Sequence, residues 1–325
     1  MERSSDAALV APCVACVTLG WAKNEADTAR MRVRLAEAGF LIEDDPAEAD
    51  AVVVNTCSFI QSATEESIEA VFDAAGMPNV AAGAPLIVAG CMPARYGEDL
   101  ADELVEARAF VPCSREDDIA AIVADALGVD APGGGAAASV TLSASGGAAE
   151  VEGSRAALAA LPAAPFAYVK ISDGCDRFCT YCTIPYIRGR YRSFPLDDGR
   201  ADVAAQGAAG ARESVLIAQD TGRWGADFDE PSSLAALVAA LAEEFPQTWF
   251  RIMYIQPEGL SDELLDAVAA HDNVCDYFDI PLQHVDAGIL RAMNRTGPPE
   301  AFPALLDRVP PPVPGPTPPP WQPAQ

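Results

Sequence analysis

Between residues 13 and 128 short runs of β-branched residues alternate with amphipathic stretches, and this restricts the fold more than any other feature of the 325-residue chain. β-Branched side chains suit a pleated sheet, while apolar residues recurring every three or four positions suit one face of a helix. The β-type runs fall at 13–19, 51–56, 86–89 and 110–111; residues 25–38 and 119–127 carry helical spacing. Such alternation predicts an open parallel sheet with helices on its faces. In sheets of this kind ligands sit beyond the carboxyl ends of the strands. Cys57, in Val-Asn-Thr-Cys, and Cys91, in Val-Ala-Gly-Cys, each directly follow a predicted strand. Both therefore belong at one edge.

The pattern breaks at residues 129–165. Pro132-Gly133-Gly134-Gly135 and the Ala/Gly/Ser mixture behind it have little to bury and many conformations to lose, so a flexible linker is expected. Alternation resumes over 166–308, with strands expected at 166–172, 214–218, 249–255 and 277–281 and helices at 233–244 and 262–270. This amounts to four βα units of an incomplete barrel. Proline dominates 309–325 and excludes both helix and sheet ladder there, predicting a disordered tail. The fold class is α/β throughout: an open-sheet domain at 13–128 followed by an incomplete (β/α) barrel.

No apolar run reaches the ~18 residues that span a bilayer, and the first residues lack the pattern of a signal peptide. A soluble cytoplasmic protein is expected, with no membrane partner. Cytosolic thiols stay reduced, so nine cysteines point to metal or redox chemistry rather than a disulfide framework. The balance of 48 acidic against 21 basic side chains, a net charge of −27, opposes a nucleic-acid partner and favours a basic protein. A general acidity of the source proteome would produce the same balance.

The most specific pattern is Cys175-x-x-x-Cys179-x-x-Cys182 in a loop after a predicted strand. Three thiolates can hold a cubic 4Fe–4S cluster and leave one iron open to a further ligand. Structural zinc usually takes four N or S ligands, and no fourth is spaced nearby. Gln219 and Asp220 end the second barrel strand, and Gln283 and His284 the fourth, where barrel active sites are built. These four are site-lining candidates; Gln283 and His284 would also serve as plain strand-end hydrogen bonders. Arg188, Arg190 and Arg192 follow the cysteine loop, either meeting a cofactor or acidic group or remaining in solvent. His271 reads as a solvated loop residue.

Residues 172–193, from Ser-Asp-Gly-Cys to Arg-Gly-Arg-Tyr-Arg-Ser, resemble the radical S-adenosylmethionine (SAM) methylthiotransferases. So do Leu-Ile-Ala-Gln-Asp-Thr221, Asp-Ile-Pro-Leu-Gln-His284 and Met-Asn-Arg-Thr-Gly297, and the likeness covers about 13–308. The resemblance implies SAM bound to the open iron of the Cys175/Cys179/Cys182 cluster, and a reducing partner such as flavodoxin or ferredoxin. It also implies transfer of a methylthio group to the β-carbon of an aspartate in a small-subunit ribosomal protein. Asp173-Gly174-Cys175 and Ala218-Gln219-Asp220 favour that branch over the tRNA-adenosine branch, which stays open, as does a catalytically inactive cluster-binding remnant.

The family carries a second 4Fe–4S cluster on three cysteines after successive strands. Cys57 and Cys91 match two of them; the third position, in Leu-Gly-Trp-Ala-Lys-Asn, is Trp21. An indole offers only an N–H donor and cannot ligate iron. A labile second site is expected, with the Trp21 ring where a sulfur should stand and Cys113 a better-placed substitute than Cys16. Cys13, Cys16 and Cys275 read as ordinary buried thiols. Family members continue through two more βα units and a small β-rich domain, whereas this chain leaves the pattern after Arg308. The expectation is a C-terminally truncated, impaired enzyme whose fourth barrel strand is an unpaired edge beside exposed apolar surface.

Overall fold

The computed structural model describes residues 11–130, 164–295 and residue 307. Most of the expected linker, and the proline-rich tail, lie outside the described residues.

The first unit is a five-stranded parallel sheet. Its strands are β1 (Cys13–Thr18), β2 (Leu41–Glu43), β3 (Ala51–Thr56), β4 (Leu86–Gly90) and β5 (Ala109–Pro112), in the spatial order β2-β1-β3-β4-β5. Every residue of β3 and β4 is buried, which explains why these strands read as unbroken apolar runs. Val53, Ile87 and Val111 face Met31 and Leu35 of α1 (Ala22–Glu37) and Ile119 and Val123 of a helix at Ile119–Leu127. On the opposite face Val52, Val54, Leu86 and Val88 meet Val71 and Ala74 of α2 (Gln61–Ala75). Each of these side chains contributes about 1.5–3 kcal/mol on burial. α1 begins three residues earlier than its apolar spacing suggests, at a Trp21 N-cap that makes no side-chain cap bond.

The second unit is a four-stranded parallel sheet in the order β11-β10-β9-β6. Its strands are β6 (Phe166–Lys170), β9 (Glu213–Ile217), β10 (Trp249–Ile252) and β11 (Val274–Phe278). Two short strands, β7 (Ser172–Asp173) and β8 (Arg192–Ser193), pair antiparallel across the cysteine loop. The strand order follows the chain, and the helices Leu234–Glu244 and Asp262–Ala270 pack on one face. β11 corrects the expectation of 277–281. It starts at Val274 because Val274 and Cys275 are the buried pair, and its register with β10 shifts between Phe250 and Ile252. Tyr277 and Phe278 end the strand, and Asp279-Ile280-Pro281 leave the sheet. Cys275 is buried as expected; Cys13 and Cys16 are only partly so, near the sheet's edge strand, where Cys13 Sγ lies 3.3 Å from Asp50 Oδ2. His271 closes a helix end rather than floating in a loop, its Nδ1 2.7 Å from Ala267 O.

The two faces of the second sheet meet different partners. Leu216 and Ala218 pack with Leu237 and Leu241 of the helix Leu234–Glu244. Val215 and Ile217 point the other way, onto Ala22 and Ala26 of α1. β11 bonds only to β10 among the described residues, as an edge strand does. The apolar inner face, expected to be exposed, is instead partly covered by the first helix of the other unit.

No helix among the described residues is long and apolar enough to cross a membrane.

Candidate metal centre

Cysteines gather at the carboxyl edge of each sheet. In the first sheet Thr56 is in register with Gly90, and Gly90 with Pro112. Cys57, Cys91 and Cys113 are the residues that follow this row. Cys57 and Cys91 are both 3% exposed, so their thiols face the interior. Ser67 fixes the first turn, accepting from Cys57 N–H at 3.0 Å and donating to Cys57 O at 2.7 Å. Gly90 takes φ +92 because a Cβ there would lie 2.2 Å from Asn55 Oδ1. The neighbouring Cys113 thiol and the Arg188 charge pull the Cys91 thiol down to about 6 against the cost of burial. Burial pushes the Cys57 thiol up.

The Trp21 side chain is 65% exposed. Gly20 before it, with φ +93, closes over Cys57; a Cβ there would meet Cys57 Cβ at 2.6 Å.

In the second unit Cys175 and Cys179 are buried and Cys182 partly so. Burial raises the Cys175 thiol, and Cys182 N–H donates to Cys179 O at 2.9 Å, turning the loop back on itself. The loop is held from outside. Phe178 is left-handed at φ 47. Asn294 Nδ2 donates to the carbonyls of Arg177 and Phe178 at 3.1 and 3.0 Å. Thr180 Oγ1 donates to Ala292 O at 3.0 Å. Gly174 takes φ +72 where a Cβ would lie 2.1 Å from Arg190 O.

The site-lining candidates divide. Arg177 Nε donates to the fully buried Asp220 at 2.7 Å, tying the second strand end to the cysteine loop. Asp220 Oδ1 and both polar atoms of the Gln219 amide are buried with no hydrogen-bond partner among the described residues. Gln283 is drawn to the loop, its Oε1 accepting from Tyr181 Oη at 2.9 Å. His284 is not: its Nδ1 accepts from Asp286 N–H at 2.9 Å in a local turn. A cavity of about 470 Å³ opens beside the loop, lined by Arg177, Gly222, Glu258 and Arg295 among others.

A buried ion cluster joins the two cysteine sites. Arg188 Nη1 lies 2.8 Å from Asp27 and 3.4 Å from Asp173; Lys170 bonds Asp27 and, at 3.1 Å, Asp173. Burial alone would raise the Asp173 carboxyl, but Lys170 and Arg188 outweigh it and hold the group below its usual range. Arg188 is thus neither in solvent nor free for a cofactor. Arg190 is 77% exposed, and Arg192 is exposed over the Phe194 ring. Nothing in the sequence signals the pairing of Asp27 with Lys170, which are 143 positions apart.

Among the described residues no three Cys, His, Asp or Glu side chains stand close enough for a single metal ion. A cubic cluster spreads its thiolates more widely than one ion does.

Residues 13–112 match the model of the uncharacterized protein family UPF0004, and residues 169–309 that of the radical SAM superfamily. The chain is 37% identical over 298 residues to the ribosomal protein uS12 methylthiotransferase RimO of Trichlorobacter lovleyi, covering 91% of this chain and 64% of that protein. It is 38% identical over 279 residues to RimO of Desulfosudis oleivorans, covering 86% of this chain and 61% of that protein. The chain therefore spans less than two thirds of the length of these relatives. Among solved structures, the radical SAM methyltransferase TsrM of Kitasatospora setae, with cobalamin and a [4Fe-4S] cluster bound, superposes with a TM-score of 0.61 at 13% identity. That match covers 92% of this chain and 67% of TsrM. The cobalamin-dependent radical SAM enzyme OxsB gives 0.60 at 11% identity, over 92% of this chain and 48% of that one. These likenesses bear on the fold alone.

Proposed function

Since the chain belongs to the radical SAM methylthiotransferase family, we propose that it performs the family's reaction on ribosomal protein uS12, methylthiolating the β-carbon of an aspartate. The observation that carries this reading is the clamped Cys175/Cys179/Cys182 loop at the carboxyl end of β6, opening beside the unpartnered Gln219 amide and Asp220 Oδ1. Cys175, Cys179 and Cys182 would hold the SAM-binding cluster. Bound there, cluster and SAM would supply a 5′-deoxyadenosyl radical able to abstract a hydrogen atom from the aspartate β-carbon.

The protein's own share is holding and shielding. Asn294 and Thr180 fix the loop that carries the thiols, and Arg177 locks it to Asp220. The Gln219 amide and Asp220 Oδ1 have no partner among the described residues and would pair with polar groups of SAM or substrate. The net charge of −27 suits a basic protein substrate. Cytoplasmic location, a flavodoxin- or ferredoxin-type reductant, a second cluster near Cys57 and Cys91, and the division into 13–128, 129–165, 166–308 and 309–325 belong to the same proposal.

The test is anaerobic reconstitution, then incubation with SAM, a reductant and a uS12 peptide. Formation of 5′-deoxyadenosine with a methylthio mass on the aspartate is expected. SAM cleavage without the added mass would reduce the chain to a cluster-binding radical SAM protein. Modification of tRNA with the peptide untouched would overturn the substrate.

A further inference from the structure

Cys113 stands apart from both cysteine sets that the sequence motifs define, yet the sheet brings it to the first of them. The row Thr56–Gly90–Pro112 runs across three adjacent parallel strands, and the next residue on each strand is a cysteine.

We infer that Cys57, Cys91 and Cys113 together hold an iron–sulfur cluster at the carboxyl edge of the first sheet, with Cys113 supplying the thiolate that position 21 does not. The nature of the group rests on the methylthiotransferase reading; the ligand set rests on this chain's own residues. Neighbouring parallel strands lie about 4.8 Å apart, so successive cysteines in a row converge on one face of a cluster.

The β1 side of the row offers no sulfur. Gly20 abuts Cys57, where even a Cβ would lie 3.0 Å from Cys57 Sγ, and the Trp21 side chain is in solvent. The β5 side offers Cys113, the residue that follows Pro112 in the row. Three cluster thiolates need nearby positive charge and hydrogen-bond donors. Arg188 Nη2 donates to Cys91 Sγ at 3.6 Å from a side chain 2% exposed. On ligation each thiol releases its proton to solvent, and the cysteine sulfurs undergo no oxidation.

The test counts iron and sulfide in full-length chains reconstituted anaerobically. In a C175A/C179A/C182A variant only the first-sheet site remains, and about four irons and four sulfides per chain are expected. Adding Cys113→Ala should lower both at least three-fold. The single Cys113→Ala chain should still hold the second-unit cluster and cleave SAM, which separates ligand loss from misfolding. Unchanged iron after Cys113→Ala, or recovery of Cys91 and Cys113 as a disulfide in the reconstituted chain, overturns the assignment. An iron-free C175A/C179A/C182A variant beside an iron-loaded wild type also overturns it, leaving the radical SAM reading intact. An iron-free wild type would sink both.

Discussion

Arg188 and Asp27 form an ion pair of 2.8 Å across the boundary between the two sheets, with side chains 2% and 0% exposed. Arg188 comes from the turn after the Cys175/Cys179/Cys182 loop, and Asp27 from α1, below the other cysteine row. The cysteine sites are therefore fixed relative to each other by charges that water does not screen.

Arg188→Met should cost about 3–5 kcal/mol, because it leaves Lys170 alone to balance the two buried carboxylates of Asp27 and Asp173. Arg188→Lys should recover only part of this, since an ammonium cannot reach Asp27, Asp173 and Cys91 at once. Urea unfolding monitored by circular dichroism measures both. A loss below 1 kcal/mol for Arg188→Met would show that the pair is not held in solution.

Asn294→Ala removes the two bonds that cap the Arg177 and Phe178 carbonyls. The expected cost is about 1–3 kcal/mol, concentrated in the cysteine loop. The reconstituted variant should lose iron to a chelator several-fold faster than wild type, with global unfolding less affected. Equal rates of iron loss would refute the clamp.

Two glycines should respond in opposite directions. At Gly222 a Cβ would lie 2.6 Å from Gly259 Cα, so Gly222→Ala must separate the turns after β9 and β10. Gly207, inside the helix Leu196–Ala208, has open space where its Cβ would go. Gly207→Ala should stabilise by about 0.5–1 kcal/mol, while Gly222→Ala should lower the Tm by several degrees. Matching shifts in thermal melts would contradict the packing.

Glu116 governs a pH dependence. Burial, reinforced by the Asp27 charge, raises its carboxyl from 4.5 to about 8, and Oε1 has no hydrogen-bond partner among the described residues. The folded pKa lies above the unfolded one, so its contribution is complete below pH 4.5 and is lost as pH rises through about 8. Glu116→Gln should therefore gain on the order of 1–2 kcal/mol over wild type at pH 8 and much less at pH 5. Denaturant midpoints at the two pH values decide it; a pH-independent difference would mean that Glu116 is already ionised at pH 5.

The elements that sequence periodicity located well are those whose burial is set by neighbours along the chain. β3 matches at both ends because all six of its residues are interior, and the helix Ile119–Leu127 matches because one apolar stripe meets one sheet face. β2 has three partly exposed residues and no pattern to recognise. The CxxxCxxC loop was legible because its chemistry is local. Its clamp by Asn294 was not, nor was the Asp27–Lys170 pair, since both depend on where distant segments meet. Trp21 was legible in part: its identity rules out ligation, but the 65% exposure of its side chain follows from the fold.

α1 also sets an order of events. It is synthesised early, yet Ala22 and Ala26 find part of their packing only when Val215 and Ile217 of β9 arrive. As the chain leaves the ribosome, the first sheet can close around Met31 and Leu35 while the start of α1 stays bare until the second sheet exists. Cutting the chain between the sheets would thus leave two fragments each displaying half of one buried seam. The halves should bind one another when mixed.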